Sequence, residues 1–300
     1  LPKTVIKTER LSKNYGRRLG IADVGLDVHA GEVFGYLGPN GAGKTTTIRI
    51  LLDFIRADAG RAEIFGLDTC RRSVDIHRRV GFLPGEVHLY ENLSCSDHLR
   101  FFANLRGNVA WAYVAELAAR LSCPLSQPIH SLSLGNKRKV GLIQALMHRP
   151  ELIILDEPTG GLDPIVQHEF YQLLAEAQAR GQTIFFSSHN LPEVERVCDR
   201  VAVIRAGRLV ATENIAALKA RSLRSLEIRF GEDVEARTFA AVPGLEIVTL
   251  EKRLLKGRLR GEMDTLLKAA SRFKVSDLKS QEPSLEEIFL AYYGNDDHAR

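Results

Sequence analysis

The run Val33-Phe34-Gly35-Tyr36-Leu37, then Gly38-Pro39-Asn40-Gly41-Ala42-Gly43-Lys44-Thr45, then Thr46-Thr47-Ile48-Arg49-Ile50-Leu51-Leu52 decides how this chain is read. Its middle segment satisfies the spacing G-x-x-x-x-G-K-[ST] between an apolar strand and a helix, the context that makes this spacing specific. Backbone N–H groups of a glycine-rich loop form a concave anion site, and the following helix adds the positive end of its dipole. The β- and γ-phosphates of a nucleoside triphosphate are therefore expected in the loop, with Lys44 as a point charge on their oxygens. The Thr45 hydroxyl is suited to Mg²⁺.

About a hundred residues downstream lies Leu152-Ile153-Ile154-Leu155-Asp156-Glu157. Asp156 ends a buried apolar strand, a costly place for a carboxylate unless a cation or hydrogen-bond partner waits there. A Mg²⁺ ion near Thr45 supplies such a partner, through water. Glu157 then supplies what phosphoryl transfer to water still lacks, an acceptor that orients or deprotonates the nucleophile.

Strand-like alternation is found at 4–8 and 25–29, and a further strand at 61–65 is closed by Gly66. From about 86 to 150 the pattern is helical. Trp111, Val114, Ala115, Ala118 and Leu121 share one face before Pro124, and Val140, Ile143, Gln144 and Met147 recur at helical spacing before Pro150. The sheet resumes at 152–156, then a helix over 165–180 ends at Gly181, a strand fills 183–187, a helix surrounds Val194 and a strand fills 200–204. Crossover helices between strands imply a parallel sheet with ligands at its carboxyl edge, where Asp156 and His189 fall. Beyond 220, strands at 226–230 and 245–249, a helix near 263–273 and a last helix at 285–293 read as a small separate α+β domain.

Composition narrows the classes. The 300 residues suit one large domain and a smaller one, and no apolar stretch reaches the roughly 20 residues of a membrane-spanning helix. Cys70, Cys95, Cys123 and Cys198 stand singly, and no signal-peptide pattern opens the chain, which points to a reducing cytosol and inert thiols. The net charge of +4 has clusters at Arg71-Arg72, Arg78-Arg79 and Lys137-Arg138-Lys139. These read as solvated faces, with anionic lipid headgroups as the other source of basic bias; no nucleic-acid partner is expected.

Leu132-Ser133-Leu134-Gly135-Asn136 with Lys137-Arg138-Lys139-Val140, then Asp156-Glu157-Pro158-Thr159, Gly161-Leu162-Asp163 and Ser188-His189, resembles the ATP-binding subunit of ABC transporters in order and spacing over about 210 residues. Ser284-Leu285-Glu286-Glu287-Ile288-Phe289-Leu290 resembles bacterial exporter ATPases whose membrane domains are separate polypeptides. The resemblance implies a P-loop NTPase of the ABC ATPase type. Its α/β domain at 1–219 would hold an antiparallel β subdomain and a helical subdomain inserted at about 86–150, and a small C-terminal α+β accessory domain would occupy 220–300.

Members of this family form a head-to-tail dimer with two ATP molecules, each between the phosphate loop of one copy and the signature segment of the other. Gly38, Pro39, Asn40, Gly41, Ala42, Gly43, Lys44, Thr45 and Thr46 would bind ATP in one copy. Ser133, Gly135 and Asn136 would close the cage from the other copy. Asp163 would belong to the loop between the two sites, and His189 would join Glu157 and Lys44 in catalysis. Tyr15 would stack on adenine, its other reading being a buried strand-end tyrosine. ATP and Mg²⁺ as cofactors, a second ATPase subunit in a homodimer, integral membrane permease subunits and a peripheral place on the cytoplasmic face of the cell membrane follow from the resemblance.

The alternative is a soluble ABC ATPase acting on ribosomes or DNA, whose members tend to carry two ATP-binding halves or a long coiled-coil insertion. A phosphate-loop kinase of small molecules would have no use for 132–136. Two departures from the family pattern stand out: Leu134 and Asn136 replace a glycine and a glutamine, and Gly85 replaces a glutamine that joins Mg²⁺ to the permease docking groove. Glu86 or a water is expected to take over from that glutamine. The groove itself is expected around Leu89, Tyr90 and 93–102.

Overall fold

The structure, a computed structural model, describes residues 3–107, 109–221 and 223–281. The helix expected at 285–293 and the segment beginning at Ser284 lie outside these residues. The chain divides into two compact units, Leu1–Glu213 and Asn214–Arg300.

The first unit opens with β1 (Thr4–Tyr15), β2 (Arg18–His29), β3 (Val33–Leu37), α1 (Lys44–Leu51), β4 (Ala59–Ile64) and β5 (Leu67–Asp68). Next come α2 (Ser73–Arg79), β6 (Val80–Leu83), α3 (Cys95–Arg106), α4 (Trp111–Arg120) and α5 (Leu134–Leu146). It continues with β7 (Leu152–Asp156), α6 (Pro164–Ala179), β8 (Thr183–Ser188), α7 (Leu191–Val197), β9 (Arg200–Arg205) and β10 (Arg208–Asn214). One sheet has the order β2-β1-β4-β5 with antiparallel pairing, and the other the order β10-β9-β3-β8-β7-β6. In the second sheet the pairs β3/β8, β3/β9, β7/β8 and β6/β7 are parallel.

Strands β3, β7 and β8 are buried along their whole length. That burial explains their unbroken apolar runs, since a strand covered on both faces needs no alternation. Helix α1 lies against β2, β4 and β7. A single apolar cluster joins Ile6, Ile21 and Ile64 of the antiparallel sheet to Ile48 of α1 and to Tyr36, Ile154 and Phe185 of the parallel sheet. Each such side chain contributes about 1.5–3 kcal/mol through burial, so the helix that begins at Lys44 is held between two sheets. The register sets Leu37 beside Ser188 and Asp156 beside Ser187. The phosphate loop, Glu157 and His189 therefore leave the sheet at one edge.

The helical segment packs more broadly than its periodicity suggests. Val114, Ala118 and Leu121 are buried, but Ala115 is exposed and Leu117 takes its place in the core. Helix α5 is buried around most of its circumference, including Leu142, Ala145 and Leu146. Ala206 and Gly207, with φ of 47° and 77°, form the two-residue turn that folds β10 back along β9.

The second unit contains α8 (Ile215–Arg221), β11 (Arg224–Phe230), β12 (Leu245–Glu251), β13 (Leu254–Leu259), α9 (Asp264–Ala270) and β14 (Val275–Gln281). Its sheet has the order β12-β13-β11-β14 and antiparallel pairing. Leu226, Ile228, Phe230, Phe239, Leu255 and Leu266 form its own core. Two strands thus join the pair expected, and the helix expected over 263–273 is confined to 7 residues.

Candidate nucleotide-binding site

The phosphate loop has a shape that glycine alone permits at its ends. A Cβ on Gly38 would lie 2.3 Å from the Ile204 carbonyl oxygen. Gly43 has φ of 112°, and a Cβ there would meet Ile21 Cγ2 at 2.6 Å and the Gly20 carbonyl oxygen at 2.8 Å. Gly43 also caps α1 with no side-chain hydrogen bond, which leaves the first-turn N–H groups to an anion. Lys44 is buried, and its Nζ donates to the carbonyl oxygens of Gly38 at 2.5 Å and Pro39 at 3.2 Å. It also pairs with Glu157 Oε1 at 3.0 Å.

Above the loop a hollow of about 400 Å³ is lined by Tyr15, Arg18, Asn40, Thr46, Arg49 and Glu157, among others including Gly41 and Thr45. Gly38, Pro39 and Ala42 shape the loop without lining it. Tyr15 is 45% exposed, so the buried strand-end reading fails. Strand β1 stops at this residue, and Gly20 makes room for the ring: a Cβ there would be 2.9 Å from Tyr15 Cε2. Arg18 and Arg49 are additions to the sequence reading. Both stand beside recognised positions, but a single arginine has no motif of its own.

Asp156 is almost fully buried at the end of β7. Thr45 Oγ1 donates to its Oδ2 at 2.7 Å and Ser187 Oγ donates to its Oδ1 at 2.6 Å. Both hydrogen-bond partners are neutral hydroxyls. One hydroxyl and one carboxylate suit Mg²⁺, which takes few protein ligands and fills its shell with phosphate and water. Glu157 has φ of 50°, a conformation uncommon for a residue with a side chain. Its N–H donates to the Ser187 carbonyl at 3.2 Å, and its Oε2 lies 2.6 Å from His189 Nδ1. Glu157 Oε1 is buried and has the Lys44 charge beside it but no hydrogen-bond partner. Glu193 fixes the surrounding loops, accepting from Thr159 Oγ1 at 2.7 Å and Ser188 Oγ at 2.9 Å.

The signature residues are placed apart from this hollow. Ser133 caps α5 and accepts from the Asn136 N–H at 3.3 Å. Gly135 lies so close to the next loop that a Cβ would be 2.4 Å from the Gly161 carbonyl oxygen. Asp163 caps α6, accepting from the N–H groups of Ile165 at 3.1 Å and Val166 at 3.0 Å. None of Ser133, Gly135, Asn136 or Asp163 lines the hollow over Lys44.

The basic run at 137–139 is not a solvated face. Arg138 and Lys139 are buried because α5 is packed on nearly every side. Burial pushes the Arg138 guanidinium below its ordinary value, opposed by the charges of Asp156 and Glu157. A second hollow, of about 500 Å³, is lined by Thr45, Arg49, Phe82, Gly85, Glu86 and Asp156. Beyond it Tyr90 stacks on Phe102 and meets Phe101 edge-on, with Tyr90 and Phe101 exposed. Cys95, Cys123 and Cys198 are buried free thiols, and Cys70 is half-buried.

A family profile described as ABC transporter matches residues 21–160. The chain is 38% identical over 237 residues to the bacitracin transport ATP-binding protein of Bacillus licheniformis, covering 78% of this chain and 77% of that one. The chain belongs to the ATP-binding subunits of ABC transporters. It is also 36% identical over 253 residues to the Nod factor export ATP-binding protein I of Paraburkholderia xenovorans, covering 82% of this chain and 83% of the relative. A solved ATP-binding subunit of an ABC transporter superposes with a TM-score of 0.67 at 30% identity, covering 72% of this chain and 92% of its own. This ABC subunit therefore has the P-loop NTPase fold of its family, and it binds and hydrolyses ATP. Among the described residues, no helix of the ABC subunit is long and apolar enough to cross a membrane.

Proposed function

We propose that this chain is the motor subunit of an ABC exporter whose membrane-spanning permease subunits are separate polypeptides, and that it works as a homodimer closed by two ATP molecules. The observation that carries this reading is the division of the site. Lys44, Glu157 and His189 converge at one sheet edge, while Ser133, Gly135 and Asn136 stand off at the start of α5. A helix N-terminus bearing a hydroxyl and a close-packed glycine suits a γ-phosphate presented by a second copy. Export, rather than another use of ATP, is supported by the Nod factor export relative.

In this reading 1–219 is the ATPase and 220–300 an accessory domain. The phosphates lie in the loop from Gly38 to Thr46, with Lys44 on their oxygens and Tyr15 against the adenine. Thr45 and, through water, Asp156 would hold Mg²⁺, which would neutralise charge between the phosphates. Glu157 orients the attacking water and accepts its proton. His189, hydrogen-bonded to Glu157 Oε2, fixes that carboxylate and reaches the γ-phosphate. Asp163 connects the two sites of the dimer. Glu86, in the same hollow as Thr45 and Asp156, stands in for the glutamine that Gly85 lacks. The exposed aromatics Tyr90 and Phe101 receive the permease at the cytoplasmic face of the membrane.

The test is Glu157→Gln. It is expected to bind ATP with native affinity and to lose ~100-fold or more of the hydrolysis rate, the range of a general base. Hydrolysis at the native rate refutes the role of Glu157, and copurification of the native chain with ribosomes in place of an integral membrane protein refutes the exporter.

A further inference from the structure

Arg138 sits in α5 five residues beyond the Ser133 cap. Its Nη1 donates to the carbonyl oxygen of Glu157 and its Nη2 donates to the carbonyl oxygen of Gly85 at 2.5 Å. One guanidinium therefore ties three segments together: the signature helix, the turn after β6 and the turn after β7. Its Nε is buried without a hydrogen-bond partner. A buried cation is costly unless donors and acceptors meet, so the two carbonyls that Arg138 holds matter more to this site than a surface charge would.

The two carbonyls it holds matter for the reaction. Glu157 has φ of 50°, so its backbone needs support on both sides. The Ser187 carbonyl receives the Glu157 N–H and Arg138 holds the Glu157 carbonyl, which together fix the direction in which the carboxylate leaves the chain. Gly85 has no side chain, so this residue can be tied to the catalytic turn only through its backbone, and Arg138 does so. A planar fork of donors sets the separation of two acceptors, which a lysine ammonium cannot do.

We propose that Arg138 is a positioning residue for ATP hydrolysis, holding the Glu157 and Gly85 carbonyls so that the Glu157 carboxylate is aimed and is coupled to the α5 N-terminus. The proposal rests on the role given to Glu157 above. Arg138 does not line the hollow over Lys44; it acts through Glu157.

Arg138→Met keeps the stem and removes the donors, and Arg138→Lys keeps the charge with a single donor centre. Steady-state phosphate release gives kcat and KM, and titration with a non-hydrolysable fluorescent ATP analogue gives Kd. An interaction realised in the transition state lowers kcat without raising KM, so Arg138→Met is expected to lose ~10- to 100-fold in kcat with KM and Kd within ~2-fold of native. Arg138→Lys is expected to recover part of that loss. A kcat within ~2-fold of native in Arg138→Met overturns the proposal, and so does a parallel loss of kcat and ATP affinity in both variants, the mark of a merely structural residue. A Glu157→Gln control that hydrolyses at the native rate removes the basis of the proposal by a separate route.

Discussion

Ser187→Ala removes the hydrogen bond that holds the proposed metal-binding carboxylate in place, together with the longer bond of 3.3 Å that Ser187 Oγ accepts from the Glu157 N–H. Asp156 is 1% exposed, and its Oδ1 has the Ser187 hydroxyl at 2.6 Å while Oδ2 has the Thr45 hydroxyl at 2.7 Å. Ser187 is itself fully buried between β7 and β3, so its loss opens a space of one oxygen atom and leaves Oδ1 without its donor. A hydrogen bond to a charged group contributes about 1.5–3 kcal/mol, and the small void adds a fraction of that. The expected loss is about 2 kcal/mol. Urea unfolding reports it through Trp111, the single tryptophan, which lies on α4 and so follows the first unit alone. In an Asp156→Asn background the same substitution is expected to cost about 1 kcal/mol less, because the charge that made the bond strong is gone. A Ser187→Ala variant within about 0.5 kcal/mol of native refutes the reasoning, since that is the scale of an ordinary surface change.

Gly135→Ala places a Cβ 2.4 Å from the Gly161 carbonyl oxygen, so backbone has to move; nucleotide titration is expected to give affinity within ~2-fold of native and phosphate release a rate down ~10-fold. Gly85→Gln is expected to fold normally, within about 0.5 kcal/mol by urea unfolding, because a Cβ there lies 3.5 Å from Asp156 Oδ2 and the adjoining hollow holds about 500 Å³. His148 carries a pH dependence. Burial first, and then the Arg106 charge, push its imidazole down to about 4 from 6.5. The unfolded chain therefore takes up a proton below 6.5 that the folded chain refuses until about 4. Stability is full above the unfolded value and falls by up to about 3 kcal/mol across that window as pH drops. His148→Gln is expected to flatten that part of the curve, measured as the difference in unfolding free energy between about pH 7 and pH 4.

The strands that carry the site were legible because they are buried on both faces and end in motif residues: β3 at Leu37, β7 at Asp156 and β8 at Ser188. What escaped reading lies where the signal is weak. Strand β6 has four residues, too few for a period, and β10 alternates half-buried with exposed positions while its apolar Val210 is on the exposed side. Strands β13 and β14 carry Gly257 and a polar run, Ser276-Asp277 and Lys279-Ser280, which dilute the apolar pattern. Arg138 was hidden for a different reason. Its neighbours Lys137 and Lys139 make it one of a basic run, and only the packing of α5 against the Gly85 and Glu157 turns shows that its charge is buried. Tyr15 was reachable through the resemblance, whereas Arg18 and Arg49 needed the hollow itself.

The central claim is that each copy holds part of the reactive centre and that nucleotide brings in the rest. Light scattering of Glu157→Gln, with and without ATP and Mg²⁺, tests it most directly. The account predicts 33.4 kDa without nucleotide and twice that mass with it. A variant saturated with ATP that stays at 33.4 kDa contradicts the account.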